Sequence, residues 1–159
     1  MSITFRAIEP QDEGFLLKVY ASTRTEELER VLWNEAQREA FLRMQFTAQH
    51  HHYRERYPDA AYEIIFLNQE SVGRLYVARL DEEIRIIDIT ILPEYRGGGI
   101  GTSIIKGLLI EASQSGKPVR IYVESFNPSL RLFERLGFTR IDEHGVHVLM
   151  EGKEMRNAE

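Results

Sequence analysis

The chain has 159 residues, a length that fits one domain, and its 43% hydrophobic and 28% charged residues are an ordinary globular mix that excludes a disordered chain, a coiled coil or a collagen-like rod. Cysteine is absent, which excludes a disulfide framework, a thiolate nucleophile and any Cys-based zinc or iron–sulfur site. The net charge of −5, from 25 acidic and 20 basic residues, argues against nucleic acid as a partner, because phosphate backbones select basic surfaces.

No apolar run approaches the roughly 20 residues that span a bilayer, and the first ten residues lack a basic segment followed by an apolar one. The expectation is a cytoplasmic protein with no membrane partner, built as a single domain over residues 1–159.

In chain order, residues 3–8 alternate loosely and read as a strand, ended by Pro10. Residues 12–21 carry Phe15, Leu16, Val19 and Tyr20 at helical spacing, with Asp12 as the cap. Leu28, Val31 and Leu32 suggest a second short helix. Asn34 and Gln37 form a capping-box pattern that opens a long helix to about Tyr57, with Phe41, Met44 and Ala48 as its apolar face; Pro58 closes it. Trp33, just before the cap, reads as a staple-like packing residue. The period then changes. Residues 62–67 and 72–80 read as strands joined by a turn at 68–71, and residues 83–92 as a third, isoleucine-rich strand. Ile104, Ile105, Leu108, Leu109 and Ala112 mark an amphipathic helix ending near Gly116. Residues 119–123 are a strand, residues 128–136 a short helix with Asn127 as N-cap and Gly137 after its end, and residues 138–142 and 146–151 the last two strands. The order predicts an α/β fold: a mixed, mostly antiparallel sheet of six or seven strands with helices on both faces.

Of 11 glycines, four stand within residues 97–101, between the isoleucine-rich strand and the amphipathic helix. A strand running through a glycine turn into a helix presents unpaired backbone N–H groups and a positive dipole end, which suits a phosphate. Two nucleotide motifs fail. Gly116-Lys117 has Glu111 where a Walker A loop needs its first glycine, and Gly99-Ile100-Gly101 has Ile104 where a dinucleotide fingerprint needs its third. A tight turn that starts a helix and holds no ligand is the plainer alternative.

Arg96-Gly97-Gly98-Gly99-Ile100-Gly101 resembles the R/Q-x-x-G-x-G/A loop of the GNAT-type N-acetyltransferases. Downstream, the run from Asn127 through Phe133-Glu134-Arg135-Leu136-Gly137-Phe138 resembles the family's second signature, an asparagine and a short helix ending in a YExLGF-like run. The element order resembles the family fold over nearly the whole chain, including central strands that splay apart. The resemblance implies that acetyl-CoA is the co-substrate and that no metal is needed. It places the pantetheine arm along the backbone of Ile89, Ile91 and Leu92. The pyrophosphate falls to Arg96 and the amides of Gly97, Gly98, Gly99, Ile100, Gly101 and Thr102, with Asn127 and Phe133 completing the cofactor-binding set. The reaction it implies is direct attack of a primary amine on the acetyl thioester in a ternary complex.

Catalysis requires a proton acceptor for the amine. Asp88, set between isoleucines, is the first choice, since strand burial raises a carboxyl pKa toward that of a useful base; a structural carboxylate anchoring the strand is the plainer reading. Glu124, at the end of the next strand, is the second candidate. Many relatives protonate the leaving thiolate with the tyrosine of the YExLGF run, and here that position is Phe133. A water, or a displaced tyrosine such as Tyr122 or Tyr95, is the substitute. Phe133 therefore keeps open a non-catalytic acyl-CoA-binding regulatory domain, and a protein or peptide acceptor is a further alternative. Glu26, Glu27, Gln45 and His52 lie where the family walls its acceptor pocket. His50-His51-His52 point about 100° apart on a helix and cannot converge on one ion. His144 and His147 flank a hairpin turn at Gly145. An edge strand or the C-terminal hairpin makes a homodimer plausible.

Overall fold

Proline, glycine and side-chain caps set the element boundaries. The computed structural model describes residues 1–154. Strand β1 (Ile3–Ala7) gives way to a single 3₁₀ turn at Pro10–Asp12. Asp12 fixes that turn: its carboxylate accepts from Glu9 N–H at 2.7 Å and from both terminal nitrogens of Arg6 at 3.0 Å. Helices α1 (Glu13–Ser22), α2 (Thr25–Glu29) and α3 (Glu35–Arg56) follow. The capping box forms as the sequence expects. Asn34 Oδ1 accepts from Gln37 N–H at 2.8 Å, and Gln37 Oε1 accepts from Asn34 N–H at 3.0 Å. Strands β2 (Ala61–Leu67) and β3 (Glu70–Arg79) are joined by only two residues, Asn68 (φ 49°) and Gln69 (φ 74°), both left-handed as a two-residue hairpin of type I′ requires. Strand β4 (Ile84–Ile91) leads through a 3₁₀ turn at Pro93–Tyr95 to α4 (Ile100–Gln114). Strand β5 (Val119–Glu124), helix α5 (Ser129–Arg135), β6 (Thr139–His144) and β7 (His147–Gly152) complete the chain.

The seven strands form one mixed sheet in the order β1-β2-β3-β4-β5-β7-β6. Strands β4 and β5 are parallel; β1–β2, β5–β7 and β6–β7 are antiparallel. The chain divides into two compact units, one of residues 1–75 and 89–96, the other of residues 76–88 and 97 onward.

In the first unit, Leu16 and Tyr20 of α1, Phe46 of α3 and Ile64 of β2 make the core, with Phe15, Leu42 and Phe66 packed around them. This corrects the expected face of α3. Phe46 is its buried residue and Met44 is 62% exposed. The packing face is the Leu42–Phe46 side, turned about 100° from the Phe41–Met44–Ala48 stripe, because the partners of α3 are α1 and β2. Phe41 is instead used by Trp33, ring edge to ring face at 5.0 Å.

In the second unit, Ile104, Ile105, Leu108, Leu109 and Ala112 of α4 are buried, as their spacing expects. Val119, Ile121 and Val123 of β5, Phe133 of α5 and Met150 of β7 are buried with them. Asn127 is not the N-cap of α5. Pro128 holds that place, yet Asn127 Oδ1 still accepts from Ser129 N–H at 2.9 Å. Gly137 follows the helix with φ 91°, as its C′ position demands.

Candidate functional site

Strand β4 and the residues after it carry the first half of the candidate site. In the first unit, Ile89 and Ile91 are partly exposed, whereas the Leu92 side chain is 2% exposed. Leu92 N–H donates to Val72 O at 2.8 Å, so Leu92 offers its backbone's position and not its side chain. Arg96 is exposed, and its Nε donates to Ile91 O at 2.9 Å. That bond ties the guanidinium to the end of β4. The two terminal amino groups have no carboxylate partner among the described residues, so they remain available to an anion in the bidentate manner that suits phosphate. Tyr95 donates its hydroxyl to Glu70 Oε2 at 3.2 Å, and that hydrogen bond holds its pKa above the usual phenol value. A phenol so occupied is a poor proton donor to a thiolate.

In the second unit, Gly97, Gly98 and Gly99 are exposed ahead of α4. Gly97 has φ 83° and Gly99, the N-cap of α4, φ 86°. A Cβ at either would meet nothing within 4 Å, so backbone conformation and not crowding is what requires glycine. The first internal bond of α4 runs from Ser103 N–H to Gly99 O. The helix has no side-chain cap and no acidic residue in its first turn. The amides of Ile100, Gly101 and Thr102 are thus the orphan donors of a 15-residue helix, at its positive end. Ile100 is buried by its side chain at 3% exposure, leaving only its N–H for such a role. Phe133 is 1% exposed with its ring edge-on to Phe138 at 5.1 Å. Its side chain belongs to the core of this unit.

The β4–β5 ladder pairs Ile84 with Val119, Arg85 with Arg120 and Ile86 with Ile121, and stops there. Strand β5 continues to Glu124 with β7 alone on its other side. Tyr122 is therefore the first β5 residue beyond the parallel ladder. Its ring, 40% exposed, lies 5.1 Å from the Arg85 guanidinium and 6.2 Å from the His144 ring. His144 Nε2 in turn meets Asp142 Oδ2 at 3.0 Å. Alternation from the buried Ile84 and Ile86 sets Asp88 on the sheet face of Ile121 and Val123, while Tyr122 and Glu124 take the opposite face. Tyr122 and Glu124 therefore share a face and Asp88 lies on the other. Asp88 is half-exposed, where the sequence expects strand burial. Glu124 is partly exposed.

The expected acceptor-side residues are mostly engaged. Gln45 Oε1 accepts from Tyr20 OH at 3.1 Å, and Glu27 pairs with Arg24 at 2.9 Å. Glu26 and His52 are exposed. The three histidines separate: His51 meets Glu55 at 2.9 Å, while His50 stacks on Phe46 and lies edge-on to Tyr62. Among the described residues, no cluster of His, Cys, Asp and Glu is placed to hold a metal, and no helix is long and apolar enough to cross a membrane. Sequence reasoning missed Gly73, which stands against the backbone of β4. A lone glycine inside a strand pattern was the signal that could have found it.

No curated protein matches the sequence. Solved structures similar in fold include the PaiA N-acetyltransferase of Thermoplasma acidophilum in complex with coenzyme A, at 19% identity over 97% of this chain and 100% of that one, with a TM-score of 0.69. An acetyltransferase of Thermus thermophilus aligns at 18% identity over 96% and 97%, with a TM-score of 0.68. Arabidopsis thaliana Naa50, in complex with the bisubstrate analogue CoA-Ac-MVNAL, aligns at 15% identity over 98% and 100%, with a TM-score of 0.58. The model of the acetyltransferase (GNAT) family matches residues 23–138, which takes in β4, the glycine loop and α5. On that match the chain belongs to the GNAT acetyltransferases, a family of acyltransferases.

Proposed function

We propose that the protein is an N-acetyltransferase that moves the acetyl group of acetyl-CoA to a primary amine by direct attack in a ternary complex. The observation that carries this reading is the start of α4: an uncapped helix, preceded by exposed glycines in left-handed conformation and free of acidic residues in its first turn. Those amides suit the pyrophosphate, and the family motif that Arg96 opens is read as binding the same group. The neighbour from Thermoplasma acidophilum was solved with coenzyme A, which supports the same choice of co-substrate.

Acetyl-CoA supplies an acyl group already activated as a thioester. The chain's own part is to hold and polarise it. Backbone groups along residues 89–91 receive the arm and the carbonyl oxygen, the Leu92 N–H being held by Val72 O, and a fixed donor there is worth most as negative charge grows on that oxygen. The amine nitrogen bonds to the carbonyl carbon, the carbon–sulfur bond breaks, and the amine gives up one proton. Glu124, on the face of Tyr122, takes that proton directly or through water; Asp88, on the other face, is the alternative base and would need a water relay. Tyr122 is the proton donor to the departing thiolate, standing in for the tyrosine that Phe133 replaces. A thiol of pKa about 8.5 leaves readily, so this donor's contribution is small.

Calorimetric titration of the purified protein with acetyl-CoA and with free CoA tests the reading, beside the folded double variant Gly99→Glu, Gly101→Glu. Binding by the wild type that is lost in the variant is expected. Acceptor screening by intact mass, with small amines and short peptides in parallel, then identifies the acceptor class. Absence of binding by a well-folded wild type overturns the proposal.

A further inference from the structure

Gly73 stands in the middle of β3, where glycine ordinarily weakens a strand. It is buried, and the backbone of β4 lies against it. A Cβ at Gly73 would stand 2.2 Å from the Thr90 carbonyl oxygen and 3.1 Å from the Thr90 carbonyl carbon and Ile91 Cα. Real Cβ atoms essentially never come within 3.0 Å of another heavy atom in this way. The obstructing atoms are main chain, so no side-chain rotation relieves the clash.

Side chains leave a strand perpendicular to its sheet. An oxygen standing where the Cβ would go is therefore on the sheet face above Gly73, and it is the Thr90 carbonyl oxygen that stands there. Two bonds flank this point. Leu92 N–H reaches back to Val72 O at 2.8 Å, and Ile91 O holds Arg96 Nε at 2.9 Å. Ile91 is thus fixed between its contact with Gly73 and its bond to Arg96.

We propose that Gly73 is a positioning residue for the acyl donor: its missing side chain lets residues 90 and 91 close onto β3, and this sets the Ile91 carbonyl that aims Arg96. The inference rests on the reading of β4 and Arg96 as the donor's binding elements. Gly73→Ala forces residues 90 and 91 outward by more than about 1 Å, the gap between the recorded 2.2 Å and ordinary contact at 3.4–4 Å. Displacements of that size are felt by about a hundredfold in positioned chemistry.

The test is a double-substitution cycle read by acetyl-CoA titration: wild type, Gly73→Ala, Arg96→Ala and both. Gly73→Ala is expected to raise the dissociation constant at least about tenfold, and to add little once Arg96 is gone, since residues acting as one unit are not additive. Gly152→Ala serves as the control for crowding alone. Its Cβ would lie 2.6 Å from the Phe138 ring with no β4 atom among its nearest neighbours, and its acetyl-CoA affinity is expected to stay within about twofold of wild type. A folded Gly73→Ala protein that binds like wild type overturns the role of Gly73 and leaves the acetyl-CoA site standing. A wild type that does not bind acetyl-CoA overturns both. Should Gly73→Ala not fold, NMR titration of the wild type decides. The Gly73 amide must shift with the same saturation as Arg96 Nε, and a Gly73 signal that stays still while Arg96 moves overturns the proposal.

Discussion

Gly99 and Gly101 stand two residues apart in one loop and do different work. Gly99 has φ 86°, which an L side chain reaches only with strain. Gly101 is helical, and a Cβ there would touch Leu132 Cδ2 at an ordinary 3.8 Å. Gly99→Ala is expected to lower stability by about 1–2 kcal/mol, and Gly101→Ala to leave it unchanged or raise it by about 0.5–1 kcal/mol; urea unfolding of the two variants checks both. The resemblance motif, which accepts alanine only at the second of these positions, has this physical basis. His50 makes a second prediction. Burial first, then the charges of Arg54 on its own helix and Arg74 from β3, push its pKa down. The unfolded chain, with an ordinary value of about 6.5, therefore binds the proton more readily. The stability His50 contributes as a neutral ring is complete above that value and is lost as pH falls below it. Unfolding midpoints at pH 7.5 and 5.5 are expected to differ less in His50→Gln than in the wild type. The Asn34–Gln37 cap was legible in the sequence because its partners sit within three positions, whereas Asn127 and Asp12 do not cap the helices expected of them. His50 and Gly73 were not legible, because what matters for them, Tyr62 and Arg74 or the Thr90 carbonyl, arrives from elsewhere in the chain.

At the scale of elements, local signals set where each helix begins and packing sets which way it faces. Asn34 and Gln37 satisfy each other's backbone N–H, and Asn34→Ala is expected to cost about 1 kcal/mol, measured by thermal or urea unfolding. The face of α3 did not follow from periodicity, since a helix this polar has several nearly equal stripes and its neighbours choose among them. The sheet of the second unit carries a row of charges that no sequence pattern announced. Glu83 meets Arg85 at 2.7 Å and Arg120 at 3.2 Å, and Arg120 meets Glu151 at 2.8 Å. Glu151 above all keeps the Arg120 guanidinium protonated. Glu83 is 13% exposed, so its carboxylate neutralises two guanidinium groups largely out of water. Glu83→Gln leaves those cations facing each other and is expected to cost about 1–3 kcal/mol in urea unfolding, with part of the loss recovered in 1 M salt.

For the whole molecule, two short runs of sequence were enough to indicate the family, because a phosphate-binding turn needs particular backbone conformations and only glycine supplies them cheaply. The interleaving of the last two strands, with β7 between β5 and β6, was not legible; a hairpin in sequence does not say which of its strands joins the sheet. The acceptor site was not legible either, since amines are recognised by side chains drawn from separate elements with no common spacing. If acetyl-CoA binds only the folded chain, its presence at a hundred times its dissociation constant adds about 2.7 kcal/mol of stability, seen as a rise in melting temperature that the Gly99→Glu, Gly101→Glu protein lacks.

Strand β6 lies at one border of the sheet, with all six residues exposed, four of them Arg140, Asp142, Glu143 and His144, and with its pairing interrupted between Arg140 and Asp142. Another polypeptide seeking to extend the sheet there meets charge and an irregular ladder instead of a flat apolar strip. The border is thereby guarded against fibre growth and against strand-to-strand pairing of two copies.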